Sequence, residues 1–205
     1  MATLNSRQLI QQHGIISDQV DAAELAVVLE ELQKSLARGG AVVEFGCYIG
    51  TTSLYIRRVL DHFGDVREFH VYDSFEGLPV KTPQDQSPLG VQFKEGELLA
   101  TKKQFIGGFK TARLTLPIIH KGWFNRVEAT EVPAPVAFAF LDGDYYDSIK
   151  SSLSLIESKL ASGAIIVVDD YTNDSLPGAA RAVDEWCRKH NYSVRTVHSL
   201  AVIYC

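Results

Sequence analysis

The stretch Ala164-Ile165-Ile166-Val167-Val168-Asp169-Asp170 is an apolar run that closes with two acids. A second run, Val136-Ala137-Phe138-Ala139-Phe140-Leu141, closes in the same way with Asp142. Unbroken β-branched and aromatic runs are typical of strands buried in a parallel sheet, and ligands of open α/β sheets bind beyond the carboxyl ends of such strands. The two strands therefore deliver three carboxylates to the place where chemistry is expected.

These three carboxylates point to a metal ion. Carboxylates that are brought together repel one another unless a hard cation lies between them. Mg²⁺ and Ca²⁺ are the cations that prefer oxygen ligands. The sequence therefore predicts a metal site formed by Asp142, Asp169 and Asp170. For the adjacent pair Asp169-Asp170, a structural ion pair or a cap is the alternative interpretation.

Helical and strand patterns alternate along the rest of the chain. Strands are predicted at residues 41–45, 68–72, 116–120, 136–141, 164–168, 192–197 and 200–204. Helices are predicted from Ser17-Asp18 to Gly39-Gly40, at 51–63, at 97–113, at 147–161 before Gly163, and from Pro177 through Cys187. The last two strands are close enough to form a hairpin, so at least one is antiparallel. Right-handed crossovers then give an α/β, doubly wound, Rossmann-like and mostly parallel seven-stranded sheet.

Length and composition restrict the class of protein. The 205 residues predict one domain over residues 1–205, with an N-terminal helical segment at 1–40 and a proline-containing loop at 77–96 as a candidate lid. The net charge of −5 offers no broad basic surface, which argues against a nucleic acid partner. The three cysteines have no zinc-binding spacing, and no apolar run is long enough to cross a membrane. We therefore expect a cytoplasmic protein.

A glycine turn, Glu44-Phe45-Gly46-Cys47-Tyr48-Ile49-Gly50, separates the first predicted strand from the next helix. It lacks the G-x-G-x-x-G pattern of dinucleotide-binding proteins. Glu44 would repel a pyrophosphate, but it suits a ligand with a cationic amino group. Asp73, at the end of the following strand, is placed to accept hydrogen bonds from a ribose diol. The alternatives are an ordinary strand-to-helix connection and, for Asp73, a solvated acid or turn cap.

Five segments together resemble the macrocin O-methyltransferase family, in the order in which that family has them. They are Val43-Glu44-Phe45-Gly46-Cys47-Tyr48-Ile49-Gly50-Thr51-Thr52, Tyr72-Asp73-Ser74-Phe75-Glu76-Gly77-Leu78-Pro79, Lys121-Gly122-Trp123-Phe124, Leu141-Asp142-Gly143-Asp144-Tyr145-Tyr146-Asp147-Ser148 and Val168-Asp169-Asp170-Tyr171. The second segment is the most specific. The resemblance implies a class I methyltransferase fold, S-adenosylmethionine and Mg²⁺ as cofactors, and a hydroxylated small-molecule acceptor such as a sugar or other natural-product intermediate.

The resemblance also implies roles for single residues. The methionine part of the cofactor would be lined by Glu44, Gly46, Tyr48, Thr51 and Thr52, the adenosine by Asp73, Ser74 and Phe75, and the cofactor site also by Trp123 and Asp142. Mg²⁺ would be bound by Asp142, Asp169 and Asp170. We further predict that Asp142 is the catalytic base, with Asp144, Tyr145 and Tyr146 left as alternative bases or acceptor ligands. Residues 125–128 depart from the family pattern, which leaves the sugar specificity open.

Two other functions are compatible with parts of the sequence. Asp142-Gly143-Asp144 is a D-x-D pattern, as in metal-dependent glycosyltransferases that bind nucleotide sugars. This interpretation gives no role to Glu44 or to the pair Asp169-Asp170. A non-catalytic cofactor-binding protein is the third interpretation, and the complete set of three aspartates argues against it. The sequence does not identify the acceptor, and it is compatible with a homodimer without requiring one.

Overall fold

The computed structural model describes residues 4–89 and 93–205, and its centre is one seven-stranded sheet. The strands are β1 (Ala41–Phe45), β2 (Phe69–Asp73), β3 (Ile118–Lys121), β4 (Val136–Leu141), β5 (Leu160–Val168), β6 (Val194–Val197) and β7 (Leu200–Tyr204). They lie in the order β3-β2-β1-β4-β5-β7-β6. The first five strands are parallel, and β7 is antiparallel to both of its neighbours. This confirms the predicted α/β sheet and its C-terminal hairpin.

Six α-helices are found in the described residues, and they cover both faces of the sheet. They are α1 (Ser6–His13), α2 (Ala22–Ser35), α3 (Thr51–His62), α4 (Lys102–Ala112), α5 (Tyr146–Ile156) and α6 (Pro177–His190). Side chains of a strand alternate between the two faces. Phe138 and Phe140 of β4 therefore pack with α2, α3 and α4, whereas Ala139 and Leu141 pack with α5 and α6. Two buried cores result, as a doubly wound fold requires.

The N-terminal region differs from its prediction. Helix α1 lies in the predicted helical segment at 1–40 but was not predicted as a separate helix. Asn5 caps it by accepting a hydrogen bond from the backbone N–H of Gln8 at 3.1 Å. Helix α2 begins at Ala22, after the predicted start at Ser17-Asp18. The carboxylate of Asp21 caps it by accepting hydrogen bonds from two backbone N–H groups. Ser17 instead accepts a hydrogen bond from the N–H of Gln19 in the preceding turn. A stronger cap a few residues later therefore decided where α2 begins.

Other predicted helix boundaries were also wrong. Helix α2 ends at Ser35, before the predicted end at Gly39-Gly40. Helix α4 begins at Lys102, five residues after the predicted start, because Thr101 and Gln104 form a reciprocal capping box. Helix α5 ends at Ile156, and β5 already begins at Leu160. Gly163, which was predicted to follow the helix, therefore lies inside the strand, where a register shift between β4 and β5 marks a bulge.

The proline-containing loop connects β2 to α4. It contains a short 3₁₀ helix at Pro83–Asp85. Residues 90–92 of the predicted lid lie outside the described residues, as do residues 1–3 of the N-terminal segment. Within the described part of the chain, no helix combines the length and the apolar character needed to cross a membrane.

Candidate active site

Backbone hydrogen bonds that continue beyond the central strands keep the carboxyl ends of these strands in register. The N–H groups of Gly46, Asp142 and Asp169 each donate to a carbonyl of the neighbouring strand, at 2.9, 2.8 and 2.9 Å. These residues follow β1, β4 and β5 directly, so they begin at the same edge of the sheet. A cavity of about 300 Å³ opens there. This size lies at the lower end of the range for small-molecule sites.

Nearly all of the predicted site residues line this cavity. Those that line it are Glu44, Gly46, Tyr48, Thr51, Thr52, Asp73, Ser74, Trp123, Asp142, Asp169 and Asp170. Phe75 does not line it. Its buried side chain packs edge-on against Phe105 in the core, with ring centroids 6.0 Å apart. Parallel strand order therefore brought together the segments that follow all five parallel strands, β1 to β5, while Phe75 points into the protein.

Gly46 lets two strand ends approach each other closely. Its φ angle is +88°, and a Cβ at this position would lie 1.9 Å from the carbonyl oxygen of Asp142. A side chain here would therefore have to push the turn after β1 away from the turn after β4. Glycine is required at this position for space as well as for its backbone conformation.

We expect Gly46→Ala to lower the free energy of unfolding by more than about 2 kcal/mol, because it adds a steric clash to an unfavourable backbone conformation. Gly107→Ala is the matched control, since the same added carbon in α4 would meet no atom within 4 Å. That change should stabilise the protein by up to about 1 kcal/mol, the helix preference for alanine. Urea unfolding of the three proteins measures both effects. Equal midpoints for Gly46→Ala and wild type would contradict the close approach.

Asp73 shapes the glycine turn in addition to facing the cavity. Its Oδ2 accepts hydrogen bonds from the N–H groups of Cys47 at 2.8 Å and Tyr48 at 3.3 Å. Its Oδ1 accepts one from the N–H of Phe75 at 2.6 Å. Asp73 therefore caps a turn, as the alternative interpretation predicted, and its carboxylate also faces the cavity. A ligand hydroxyl would share this carboxylate with the backbone.

Glu44 is a buried acid that lines the cavity. Only 1% of the residue is exposed, and Ser53 Oγ donates a hydrogen bond of 2.5 Å to its Oε2. Burial raises the pKa of Glu44 to about 8, against the lowering effect of that hydrogen bond. No lysine, arginine or histidine among the described residues forms a salt bridge with it. A cationic group on a ligand would complete this site.

The hydroxyl of Thr51 is available at the beginning of α3. Its Oγ1 is buried and has no hydrogen-bond partner within the described residues. Gly50 precedes the helix and provides no side-chain cap, so the first N–H groups of α3 are also not capped by a side chain. Buried polar atoms are rarely left unpaired, and helix N-termini attract anions. The beginning of α3 therefore fits a carboxylate of a bound ligand.

Four aspartates at the ends of β4 and β5 repel one another. Burial raises the pKa of Asp142 well above its usual range, and the charge of Asp169 raises it further. Burial and the charge of Asp170 do the same for Asp144. The pKa of Asp169 is raised to about 7 by burial and by Asp170. Burial also raises the pKa of Asp170, although Asn173 opposes this by donating a hydrogen bond.

The aspartate cluster fits a cation by its chemistry. Several carboxylates that share one cavity favour a hard divalent ion, which would relieve their repulsion. Across residues 4–89 and 93–205, no three acidic, histidine or cysteine side chains are arranged closely enough to hold a metal ion. The assignment of Asp142, Asp169 and Asp170 as magnesium ligands therefore stays a prediction.

A second group of polar residues, which sequence reasoning missed, lies beside Asp169, the first of the two aspartates after β5. Glu24 of α2 lines the cavity, and its Oε1 accepts hydrogen bonds from the N–H of Ser199 at 3.0 Å and from its Oγ at 2.5 Å. The same Ser199 Oγ lies 3.5 Å from Asp169 Oδ1. Glu24 and Ser199 are 175 positions apart in the sequence. Only the packing of α2 beside the β6–β7 hairpin brings them together.

Of the three alternative bases, Asp144, Tyr145 and Tyr146, only Asp144 lines the cavity. Asp144 lines the cavity, with a φ angle of +60°. Tyr145 does not line it, and its hydroxyl donates to the carbonyl of Phe93. The Tyr146 hydroxyl donates to Glu185 of α6 at 2.6 Å, also outside the cavity. The two tyrosines therefore pack as structural rings, and Asp144 is the alternative that faces the cavity.

Comparison with known proteins places this geometry among methyltransferases. The model of the family described as Macrocin-O-methyltransferase (TylF) matches residues 18–204. A tetracenomycin 4'-O-methyltransferase of Streptomyces olivaceus, which acts on 8-demethyl-8-(2,3-dimethoxy-alpha-L-rhamnosyl)-tetracenomycin-C, is 29% identical over 66% of this chain. Mycinamicin III 3''-O-methyltransferase of Micromonospora griseorubida is 28% identical over 75% of this chain. The chain spans 54% and 63% of the lengths of these two relatives.

Solved structures share the fold. The O-methyltransferase NovP superposes with a TM-score of 0.79 at 22% identity, over 90% of this chain and 80% of NovP. Calicheamicin methyltransferase CalS11 superposes with a TM-score of 0.76 at 16% identity, over 97% of this chain and 89% of CalS11. The fold expected from the sequence, that of class I methyltransferases, is confirmed.

Proposed function

The chain belongs to the macrocin-O-methyltransferase family, and from this premise we propose that it transfers a methyl group from S-adenosylmethionine to a hydroxyl of a small molecule. One observation carries the proposal. A single cavity joins the buried acid Glu44, the turn-forming Asp73 and the four aspartates after β4 and β5. The names of the two curated relatives support a sugar or other natural-product intermediate as the acceptor.

The residues at β1 and β2 would hold the cofactor. Glu44 would accept hydrogen bonds from the amino group of the methionine part, whose positive charge favours the ionised carboxylate. The unpaired hydroxyl of Thr51 and the beginning of α3 would bind the methionine carboxylate. Asp73 would accept hydrogen bonds from the ribose, and Ser74 and Trp123 would line the adenosine end.

The residues at β4 and β5 would prepare the acceptor. In the reaction, the hydroxyl oxygen forms a bond to the methyl carbon, the bond from that carbon to the sulfonium breaks, and S-adenosylhomocysteine leaves. Asp142 would accept the hydroxyl proton, which is general base catalysis. Asp142, Asp169 and Asp170 would hold Mg²⁺, which when bound lowers the pKa of the hydroxyl. Ser199 and Asn173 would orient the two aspartates after β5.

We also propose that the protein acts in the cytoplasm on small molecules and not on nucleic acid. The net charge of −5 supports this, since phosphate backbones attract basic surfaces. The three cysteines are free, which suits a reducing compartment. The sequence leaves a homodimer open.

Calorimetry of S-adenosylhomocysteine tests the cofactor. We expect micromolar binding by the wild type, and weakening by about 10-fold or more in Asp73→Asn, since a charged acceptor of hydrogen bonds is lost. Asparagine is preferred to alanine because its oxygen still accepts from the turn. Asp61→Asn is the control, since this exposed acid of α3 lies outside the cavity. Titration of Mg²⁺, with EDTA as the blank, measures the metal separately in wild type and Asp169→Asn.

Different results separate the alternatives. Absence of S-adenosylhomocysteine binding by the wild type, both with Mg²⁺ and with EDTA, would contradict the methyltransferase proposal. Thermal protection by a nucleotide sugar without protection by S-adenosylhomocysteine would favour the glycosyltransferase. A heat of Mg²⁺ binding that persists in Asp169→Asn would exclude this aspartate as a ligand.

A further inference from the structure

Asp85 is a fully buried carboxylate outside the cavity, at the end of the 3₁₀ helix in the loop after β2. Its Oδ1 accepts a hydrogen bond of 2.7 Å from the N–H of Tyr146, the first residue of α5. Its Oδ2 accepts two more from Thr82, one from the N–H at 2.9 Å and one from the hydroxyl. One side chain thus joins the loop to the beginning of α5, 61 residues away.

A glycine at the beginning of α6 leaves space for the Asp85 carboxylate. Gly178 lies in the first turn of α6, and a Cβ there would lie 1.8 Å from Asp85 Oδ1 and 2.7 Å from the N–H nitrogen of Tyr146. Any larger residue would displace the Asp85 carboxylate from its partner. A fully buried carboxyl group that accepts three hydrogen bonds and leaves room only for a glycine constrains the position of every segment that it touches.

The loop that Asp85 joins to α5 also forms a wall of the cavity. Gly77, Leu78 and Pro79, from the beginning of the same loop, line it. Leu78 packs with Tyr145 and Leu176 in a small buried cluster of its own. Further along the loop, Ser87 Oγ donates a hydrogen bond of 2.6 Å to the carbonyl of Asp174. The loop is therefore fastened to the turns after β4 and β5.

The other side of the connection is the turn that carries the proposed base. Asp142 and Asp144 precede Tyr146 by four and two residues, and both line the cavity. Asp144 has a positive φ angle, which leaves the turn dependent on its neighbours for its shape. The Tyr146 N–H is at the end of this turn, and α5 supplies no partner for it, since helices leave their first N–H groups free.

We propose that Asp85 is a positioning residue of the transferase site. By accepting hydrogen bonds from Thr82 and from Tyr146, it holds the cavity wall at Gly77, Leu78 and Pro79 in a fixed relation to the turn that carries Asp142 and Asp144. It acts through these neighbours and does not line the cavity itself. This inference rests on the proposed function, because the geometry that it fixes is that of the cofactor and acceptor site.

Three variants test the role of Asp85. Asp85→Ala removes all three hydrogen bonds, Asp85→Asn keeps an oxygen for the Tyr146 N–H, and Gln86→Ala is the control at the adjacent, exposed position. In Asp85→Ala we expect the Tyr146 amide to exchange hydrogen at least about 10-fold faster, and the dissociation constant of S-adenosylhomocysteine to rise at least about 10-fold. Asp85→Asn should recover part of both effects, and Gln86→Ala should match the wild type.

The outcomes separate this inference from the proposed function. If the wild type binds S-adenosylhomocysteine and folded Asp85→Ala binds it equally well, Asp85 has no positioning role. If Asp85→Ala does not fold, Asp85→Asn decides, with binding measured well below the melting temperature of that variant: weaker binding by the folded protein supports the role, and wild-type binding overturns it. Failure of the wild type to bind would instead contradict the methyltransferase proposal.

Discussion

Asp142→Asn should lower turnover by about 10³-fold, within the range for loss of a general base, while leaving the protein at least as stable as the wild type. Asparagine keeps the shape of the side chain but cannot accept the proton of the acceptor. The gain in stability has an electrostatic reason, since the partly buried Asp142 is desolvated and lies beside the charges of Asp169, Asp144 and Asp170. Without bound metal, removing one of four repelling charges should add about 1 kcal/mol or more to the free energy of unfolding.

Two measurements together check this prediction. Release of S-adenosylhomocysteine from S-adenosylmethionine is followed with a panel of methyl glycosides and phenols as acceptors, and urea unfolding in EDTA gives the stability. Asp147→Asn is the matched control, because this exposed acid lies in the first turn of α5, on the same segment as Asp142. It should keep its turnover and lose up to about 1 kcal/mol of stability from the helix dipole.

The two readouts can fail independently. Undiminished turnover by Asp142→Asn would exclude Asp142 as the base and leave Asp144, which also faces the cavity. A loss of stability in Asp142→Asn, greater than that of Asp147→Asn, would show that favourable partners hold the Asp142 carboxylate. Both results together would contradict the electrostatic description of the site.

The sheet and the location of the site could be predicted because they depend on local patterns. The run that became β4 and the run 164–168 that became the second half of β5 are apolar throughout, as is typical of strands buried on both faces. Parallel strands of one sheet end at the same edge, so Asp142 and Asp169 had to come together once their strands were recognised. The glycine turn after β1 joined them by the same rule.

Helix ends and supporting contacts were harder to predict, for two different reasons. The beginning of α4 depends on Thr101 and Gln104, a capping pattern that the sequence contains but that competed with the apolar periodicity before it. Glu24 and Asp85, by contrast, acquire their roles only through residues 175 and 61 positions away. No local pattern carries that information, because it depends on how the helices pack on the finished sheet.

Glu44→Gln should stabilise the protein without ligand and weaken the binding of S-adenosylhomocysteine. The ordinary pKa of this carboxyl is 4.5, and burial raises it to about 8 in the folded chain. Between these values the folded chain keeps a proton that the unfolded chain has lost, so the stability of the wild type falls as the pH rises from 4.5 to 8. Glutamine carries no such proton and can still accept the hydrogen bond from Ser53.

The difference between the two unfolding curves isolates this single group. We expect Glu44→Gln and wild type to converge below pH 4.5, and to differ by about 2–4 kcal/mol above pH 8, with the variant more stable. Thermal or urea unfolding over this pH range measures the difference. Glu30→Gln is the control, since this exposed acid of α2 should follow the wild type at every pH. If the free energies of unfolding of wild type and Glu44→Gln change with pH in parallel, burial does not raise the pKa of Glu44.

Ligand binding should favour the wild type over Glu44→Gln, although the variant is the more stable protein without ligand. The cationic amino group of S-adenosylhomocysteine would favour the ionised carboxylate, so binding to the wild type at pH 7 should release nearly one proton. Calorimetry in buffers of different ionisation enthalpy detects that proton, and Glu44→Gln should release none from this site. The variant should also bind about 10-fold more weakly or worse, since a charge-assisted hydrogen bond is lost. Equal affinity and equal proton release would mean that the cation binds elsewhere. The predicted pattern would instead show a buried acid that destabilises the empty protein and stabilises the occupied one, because only the ligand supplies its counter-charge.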